Sequence, residues 1–261
     1  MEKLTDNVIL YHRKMDYPLW DNEIWTPLEV GAALREPVYD FGLRDNEGDN
    51  ISDWNNFFAE TTGIYWNWKH LTGKKYAGNI QYRRRFDINT YEELEDIFKE
   101  HRVIATRPLR FASTVEQQYA CCHNATDLEA IKIITLTLYP EYEASWNKYI
   151  EEGHQLWYSN GFIMREEDYN QYCEWLFSIL FSFIASMKWE TPEDIRKWVE
   201  GQIKNHQRPN IDNKRSPDNA VAYQSQLGGF LSERLWTLYL QHNFKTEEIE
   251  YLPYLKMEEG I

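Results

Sequence analysis

Three consecutive arginines, Arg83, Arg84 and Arg85, lie in the segment QYRRRF at the end of a predicted strand. The chain has 42 acidic and 28 basic residues and a formal net charge of −14, which argues against broad binding to nucleic acid. A local basic cluster in such a chain instead suits one compact anion. Guanidinium groups bind phosphate oxygens in pairs and stay charged at physiological pH, so these arginines could stabilise a departing diphosphate. Ion pairs on the surface are the simpler alternative.

Strand and helix patterns alternate around this segment and predict its surroundings. The predicted strands are residues 7–11, 76–82, 102–106 and 161–164. The predicted helices are residues 57–71, 91 to about 100, 127–138, 141–151, 166–187, 192–204 and about 230–241. Residues 16–50 are rich in turn formers, and residues 205–220 are predicted to form a loop or a mobile lid.

The alternation in the N-terminal half predicts a mostly parallel α/β sheet, followed by a mainly helical C-terminal half. In such sheets ligands bind outside the carboxyl ends of the strands. The arginines follow one such end. Because successive residues of an extended strand face opposite sides, Arg83 and Arg85 are expected to point one way and Arg84 the other.

Motifs in a fixed order along the chain resemble the capsular-polysaccharide-synthesis glycosyltransferases, a family formerly catalogued as a domain of unknown function. QYRRRF resembles the family's H-Y-R-R-Y-F, and FLSERL, residues 230–235, resembles its F-L-S-E-R-L. Further similar segments are LYHRK (10–14), PLEVGAAL (27–34), GDNIS (48–52), ETTGIYWNWK (60–69), His123 with Asp127 and Leu128, and NGFIM (160–164). The resemblance covers about residues 8 to 240, with two departures. Gln81 replaces the family's histidine, and the polar segment 205–220, with the helix before it, is longer than is typical of the family and could alter the choice of acceptor.

The resemblance implies a single GT-A-like domain over residues 1–261, with a Rossmann-type mixed sheet flanked by helices. Residues 1–110 are expected to bind the nucleotide-sugar, and the mostly helical residues 111–261 are expected to form the acceptor side. The implied reaction moves a sugar, often galactose in pyranose or furanose form, from a UDP-sugar to an oligosaccharide or lipid-linked acceptor. That acceptor would belong to capsule or O-antigen synthesis.

The site residues follow from the positions that match the motifs. The expected donor-binding residues are His12, Asn50, Tyr82, Arg83, Arg84 and Arg85. The expected sugar- or acceptor-binding residues are Glu60, Trp66, His123, Asp127, Asn160 and Ser232. Each has a simpler structural interpretation. Tryptophans at helical spacing usually pack in a core. His123 and Asp127 share a helix face only if the helix begins early enough, and the alternative is that Asp127 caps the start of the next helix.

Glu233 is the predicted catalytic base. An inverting transfer needs a carboxylate that takes the proton of the acceptor hydroxyl as its oxygen attacks the anomeric carbon. Leu231, Leu235 and Leu238 form the apolar stripe of the last helix, so Glu233 lies on another face. A solvated glutamate paired with Arg234 or Lys245 is the alternative role. Asp49, in an Asp- and Gly-rich turn, is the second candidate for the base.

No metal ion is predicted to take part. Many GT-A enzymes hold the diphosphate through a cation on a D-x-D motif, whereas no two aspartates in this chain are separated by a single residue. The arginines occupy the place where the resemblance would put that motif. We therefore expect arginines in place of the metal, and no cofactor.

A cytoplasmic, reducing environment is expected from the absence of a signal peptide in MEKLTDNVIL and from three cysteines that form no framework. The most apolar run, residues 175–187, is too short for a membrane span, which needs about 20 residues. Peripheral association with the inner face of the membrane stays open. So do two other classes of function: a nucleotide- or carbohydrate-binding protein without turnover, and a scaffold whose arginines form salt bridges.

Overall fold

The elements of the fold are taken from a computed structural model, which describes residues 2–15, 19–209 and 220–256. The strands are β1 (Asp6–Tyr11), β2 (Thr26–Glu29), β3 (Leu43–Arg44), β4 (Tyr76–Gln81), β5 (Arg84–Arg85), β6 (Val103–Thr106), β7 (Leu109–Arg110), β8 (Gln155–Leu156), β9 (Phe162–Arg165), β10 (Ile249–Leu252) and β11 (Leu255–Lys256). The α-helices are α1 (Asn55–Phe58), α2 (Thr61–Lys69), α3 (Tyr91–Ile97), α4 (Val115–Cys122), α5 (Ala125–Leu138), α6 (Glu143–Trp146), α7 (Glu166–Ser186), α8 (Pro192–Lys204), α9 (Ala220–Gln224) and α10 (Leu227–Asn243). Short 3-10 turns lie at Ala32–Leu34, Ser52–Trp54, Pro140–Tyr142 and Thr246–Glu248, and a π-helical turn lies at Asn147–Glu151.

Seven of these strands form one mixed sheet in the order β10-β6-β9-β4-β1-β2-β3. The pairs β1–β2, β1–β4, β2–β3 and β6–β10 are parallel. Strand β9 lies between β4 and β6 and is antiparallel to both. The expected α/β architecture with a mixed sheet is therefore confirmed. Strands β9 and β10 belong to the C-terminal half of the sequence yet complete the sheet, while the division of roles between residues 1–110 and 111–261 stays a prediction.

Apolar side chains cover both faces of this sheet, because consecutive strand residues point to opposite sides. In β1, Val8 and Leu10 join the larger cluster, which includes residues of α2, α5, α7 and α10. Ile9 faces the smaller cluster, together with Leu94 and Phe98 of the α3 region. A sheet that is buried on both faces explains why its strands read as apolar runs rather than as alternating patterns.

Three sequence predictions differ from the structure. The predicted helix 57–71 is divided into α1 and α2, with Ala59 and Glu60 between them. Residues 16–50 are not wholly turns, because Thr26–Glu29 forms β2 and pairs with β1. The predicted helix 141–151 is a succession of 3-10, α and π turns. Of the loop predicted at residues 205–220, residues 210–219 lie outside the described part of the chain. Throughout residues 2–15, 19–209 and 220–256, each helix is too short or too polar to traverse a bilayer.

Candidate active site

A cleft of about 870 Å³ opens where β1 and β4 end. Because these strands are parallel neighbours, the residues that follow them meet at one edge of the sheet. The rest of the wall comes from the junction of α1 and α2, from the end of α4, from β7 and β8 and from α10. The cleft therefore lies between the sheet and the helical half of the chain.

One end of the cleft is cationic. Arg13 and Arg83 line it, with their guanidinium carbons 5.8 Å and 5.0 Å from the ring centre of Tyr82. Arg35 also lines it and donates a hydrogen bond of 2.6 Å to the backbone carbonyl of His12. Burial, reinforced by these three arginines, lowers the pKa of His12 to about 4. The imidazole is thus neutral at pH 7, and the positive charge of this end comes from guanidinium groups.

Arg84 also lines the cleft. Its guanidinium carbon lies 4.6 Å from the ring centre of Tyr158 and 5.6 Å from that of Tyr254. Its Nη1 donates a hydrogen bond of 2.9 Å to Oε1 of Gln81. Two rings and one amide thus fix the guanidinium, and Gln81, where the resembling family has histidine, takes part in holding it.

The expected alternation of the three arginines is wrong, because β4 ends at Gln81 and a turn precedes β5. Arg83 and Arg84 both line the cleft. Arg85 instead stacks its guanidinium on Trp20, 3.5 Å from the ring centre. The turn at residues 82–83 therefore brings two neighbouring arginines to the same space.

Glu233 lies on α10 and lines the cleft. The backbone N–H of Ser159 donates to its Oε1 at 2.7 Å, and Nη1 of Arg234 donates to its Oε2 at 3.0 Å. The side chain is 19% exposed, whereas that of Arg234 is 3% exposed. The carboxylate is thus held in one orientation while one side remains open to the cleft, as a proton acceptor requires.

Glu60 is a second carboxylate in the same cleft. It precedes α2, and its Oε1 accepts a hydrogen bond of 3.1 Å from Nδ2 of Asn160. Burial and then repulsion from Glu233 raise the pKa of Glu60 to about 7. Near neutral pH, Glu60 can therefore hold a proton and donate a hydrogen bond to a sugar hydroxyl.

Unusual backbone conformations lie beside both carboxylates. Ser159 and Asn160 have φ of 67° and 47°, and Ala59 has φ of 50°. Left-handed conformations of this kind cost about 1–3 kcal/mol each and concentrate at functional sites. Here they direct the N–H of Ser159 to Glu233 and the amide of Asn160 to Glu60.

Part of the cleft wall is aromatic. His123 lines it and stacks on Phe230 with ring centres 4.1 Å apart. Burial and then the charge of Arg234 lower the pKa of His123 to about 3, so the ring is neutral at pH 7. His123 follows the end of α4, whereas Asp127 lies in the first turn of α5, so they do not share a helix face. Asp127 instead forms a buried ion pair with Arg208 at 2.6 Å.

The predicted site residues divide into two groups. Those that line the cleft are His12, Glu60, Tyr82, Arg83, Arg84, His123 and Glu233. The second group consists of described residues that do not line the cleft, namely Asp49, Asn50, Trp66, Arg85, Asp127, Asn160 and Ser232. The roles of all of them stay predictions.

The second group makes contacts within the protein. Ser232 accepts a hydrogen bond of 2.9 Å from Asn160, next to Glu60. Asp49 accepts one of 3.0 Å from the Tyr65 hydroxyl. The remaining contacts link Asn50 to the backbone of Gly48 and Ser52, and the indole N–H of Trp66 to the carbonyl of Glu47.

Several lining residues were missed by sequence reasoning. They are Arg13, Arg35, Gln118, Tyr158, Tyr223, Phe230 and Arg234. Arg13 directly follows His12, and Phe230 and Arg234 lie within FLSERL, so these three were within reach. In the described part of the chain, no group of three or more His, Cys, Asp or Glu side chains is arranged to hold a metal ion. Whether the reaction depends on a metal is a separate question, and metal independence stays a prediction.

The mixed sheet and the cleft at its carboxyl edge define an α/β protein of GT-A-like fold. The chain belongs to the family described as a domain of unknown function, DUF4422, whose model matches residues 7–206. Among solved structures, the chain is similar to the apo structure of the bifunctional glycosyltransferase WbbM, with a TM-score of 0.73 and 22% identity. The match covers 97% of this chain and 45% of that one, so the chain spans less than half of the WbbM chain. No curated protein matches the sequence.

Proposed function

We propose that the protein is a glycosyltransferase that moves a sugar from a UDP-sugar to a glycan acceptor, with arginines rather than a divalent metal stabilising the UDP leaving group. One observation carries the proposal. The same cleft is lined by a carboxylate, Glu233, and by a cationic end that consists of Arg13, Arg35, Arg83 and Arg84. The GT-A-like fold and the similarity to WbbM, which is itself described as a glycosyltransferase, support the same class of reaction.

The cationic end suits a diphosphate. The chain as a whole repels anions, since its net charge is −14, so several arginines in one cleft have a local purpose. Guanidinium groups on neighbouring walls can each bind phosphate oxygens in pairs. When the bond between the anomeric carbon and the phosphate oxygen breaks, negative charge grows on the diphosphate, and fixed cations stabilise that charge without reorganisation.

Glu233 is the proposed base. Its carboxylate would take the proton from an acceptor hydroxyl while that oxygen forms a bond to the anomeric carbon, and the electrons of the breaking bond would leave with UDP. This arrangement fits an inverting transfer. Ser159 and Arg234 hold both carboxylate oxygens, so the base needs little rearrangement before reaction. Glu60, with its pKa raised to about 7, would bind a sugar hydroxyl beside it.

The substrate assignment rests on the motif resemblance. It favours galactose, in pyranose or furanose form, as the transferred sugar, and an oligosaccharide or lipid-linked intermediate of capsule or O-antigen synthesis as the acceptor. Such an acceptor would place the enzyme in the cytoplasm, with contact at the inner face of the membrane. The aromatic wall with Phe230 and Tyr223 suits the apolar face of a sugar ring.

The test is UDP release from a panel of UDP-hexoses, with a mixture of methyl glycosides as acceptors and excess EDTA. The natural protein should release UDP from at least one donor. Glu233→Gln should reduce the rate by about 100-fold or more, the usual contribution of a general base. Glu116→Gln, on the exposed side of α4, is the matched control and should leave the rate unchanged. UDP binding without release from any donor would favour the non-catalytic binding protein, and no UDP binding would favour the scaffold.

A further inference from the structure

The C-terminal strap, residues 249–256, joins the edge of the main sheet to the arginine segment. It begins as β10, which is parallel to β6. It continues as β11, which is antiparallel to β5 and places Leu255 opposite Arg85 and Lys256 opposite Arg84. The strap lies outside residues 7–206, where the family model matches. Its backbone therefore supports the strand that carries Arg84.

Tyr254 is a strap residue that contacts residues at the site. Its ring stacks on Phe86, with ring centres 5.6 Å apart and planes 24° from parallel. The guanidinium carbon of Arg84 lies 5.6 Å from the ring centre. Its hydroxyl lies 2.8 Å from the hydroxyl of Ser159, within hydrogen-bond distance. One side chain thus contacts both the cationic end and the turn at residues 159–160.

That turn holds the carboxylates of the other end. The N–H of Ser159 donates to Glu233, and the side-chain amide of Asn160 donates to Glu60. Both residues have positive φ, a conformation that persists only where neighbouring contacts fix it. The hydroxyl of Tyr254 is one of those contacts. A shift of Tyr254 would therefore disturb Arg84 and Ser159 together.

Gly161 shows how closely Tyr254 fits. A Cβ added at Gly161 would lie 2.0 Å from the Tyr254 hydroxyl oxygen and 3.0 Å from Cζ. Since the nearest atom is the hydroxyl oxygen itself, an alanine here would push Tyr254 away from Ser159. The missing side chain at this position is what leaves room for the tyrosine.

We propose that Tyr254 is a positioning residue that holds the arginine end and the carboxylate end of the cleft in one geometry. It acts through Arg84 and through Ser159, and it needs no contact with the substrate. This inference rests on the proposed function, because it assigns Arg84 to the leaving group and Glu233 to the acceptor proton.

Two variants separate the two contacts. Tyr254→Phe keeps the ring and removes the hydroxyl. Calorimetry should therefore give affinities for UDP and for inorganic diphosphate within about 2-fold of those of the natural protein. The kcat for UDP release should fall about 5- to 10-fold, which is equivalent to the loss of one hydrogen bond. Tyr254→Ala also removes the ring, so its affinity for both ligands should fall about 10-fold, within the range of a partly desolvated cation–π contact. Tyr251→Phe is the matched control, because Tyr251 lies on the same strap and packs against Trp157 instead. It should match the natural protein in both measurements.

A double-mutant cycle keeps the test independent of the larger substitution. Gly161→Ala should lower kcat, and Gly161→Ala with Tyr254→Phe should lower it by clearly less than the product of the two single effects, because the clashing oxygen is gone. Circular dichroism identifies a Tyr254→Ala protein that fails to fold, in which case Tyr254→Phe and the cycle decide.

The contradicting outcomes are distinct. If the natural protein binds UDP and Tyr254→Phe keeps full kcat, the inference about Tyr254 is wrong and the proposed function stands. The same holds if the effects of the two substitutions in the cycle are additive. Natural protein that binds neither UDP nor diphosphate overturns the proposed function and, with it, the inference.

Discussion

Glu60→Gln should raise the stability of the protein at alkaline pH while removing a group from the active site. Glu60 is partly buried in the wall of the cleft, where burial and then repulsion from Glu233 raise its pKa to about 7. Glutamine has almost the same shape but cannot ionise, and its carbonyl oxygen can still accept the hydrogen bond from Asn160. The substitution therefore isolates the free-energy cost of ionising Glu60 in the cleft wall beside Glu233.

The sign and size follow from the pKa. A carboxyl group whose folded-state pKa lies above its unfolded value stabilises the fold fully below the unfolded pKa, and that stabilisation is lost as the pH rises through the folded pKa. For Glu60 the window runs from 4.5 to about 7. A pKa shift of one unit corresponds to about 1.4 kcal/mol of free energy. Between pH 5 and pH 8, the free energy of unfolding of the natural protein should therefore fall by about 2 kcal/mol relative to that of Glu60→Gln. This value allows for water in the cleft.

Urea unfolding at pH 5 and at pH 8 measures this difference directly. The free energy of unfolding of Glu60→Gln, minus that of the natural protein, should be larger at pH 8 by about 2 kcal/mol. Glu92→Gln, an exposed position on α3, is the control and should follow the natural protein at both pH values. Equal pH dependence of the natural protein and Glu60→Gln would show that Glu60 is ionised at no cost, and would contradict the raised pKa that burial and repulsion from Glu233 give it.

Two further substitutions test the framework of the site by thermal unfolding. Asp127→Asn leaves the buried guanidinium of Arg208 without its counter-charge. It should therefore lower the free energy of unfolding by about 3 kcal/mol or more. A loss below about 1 kcal/mol, the range of an exposed pair, would contradict the burial of that ion pair. Thr90→Ala removes the capping box that Thr90 and Glu93 form at the start of α3, so it should cost about 1 kcal/mol and leave UDP affinity unchanged; an altered affinity would show that α3 influences the cleft.

Much of the sheet was predictable from the sequence, because its central strands are apolar on both faces. Residues 7–11 and 161–164 have this character, and both are strands. Strand β2 was missed because it lies within a region rich in turn formers and contains Pro27, which donates no hydrogen bond to a sheet. The antiparallel position of β9 between β4 and β6 was beyond the reach of local patterns, since it depends on pairing across the whole chain.

The site was predictable as residue types but not as geometry. The arginine run drew attention to the strand end at which the cleft opens, and the motif resemblance drew attention to Glu60 and Glu233, which line that cleft. The three consecutive arginines do not indicate that the chain turns after Gln81, so the predicted directions of their side chains were wrong. Asn160 holds Glu60 from 100 residues away in the sequence, and no local signal links such a pair.

Calorimetric titration of UDP in excess EDTA, on the natural protein and on Arg84→Ala, tests most directly whether the cleft arginines bind the diphosphate. Arg85→Ala serves as the control, because Arg85 stacks on Trp20 instead of lining the cleft. We expect UDP to bind the natural protein and Arg85→Ala with similar affinity, and Arg84→Ala about 10- to 100-fold more weakly, as the loss of a charged hydrogen bond implies. Binding that appears only when Mn²⁺ is restored, or that is unchanged in Arg84→Ala, would contradict the arginine-based site.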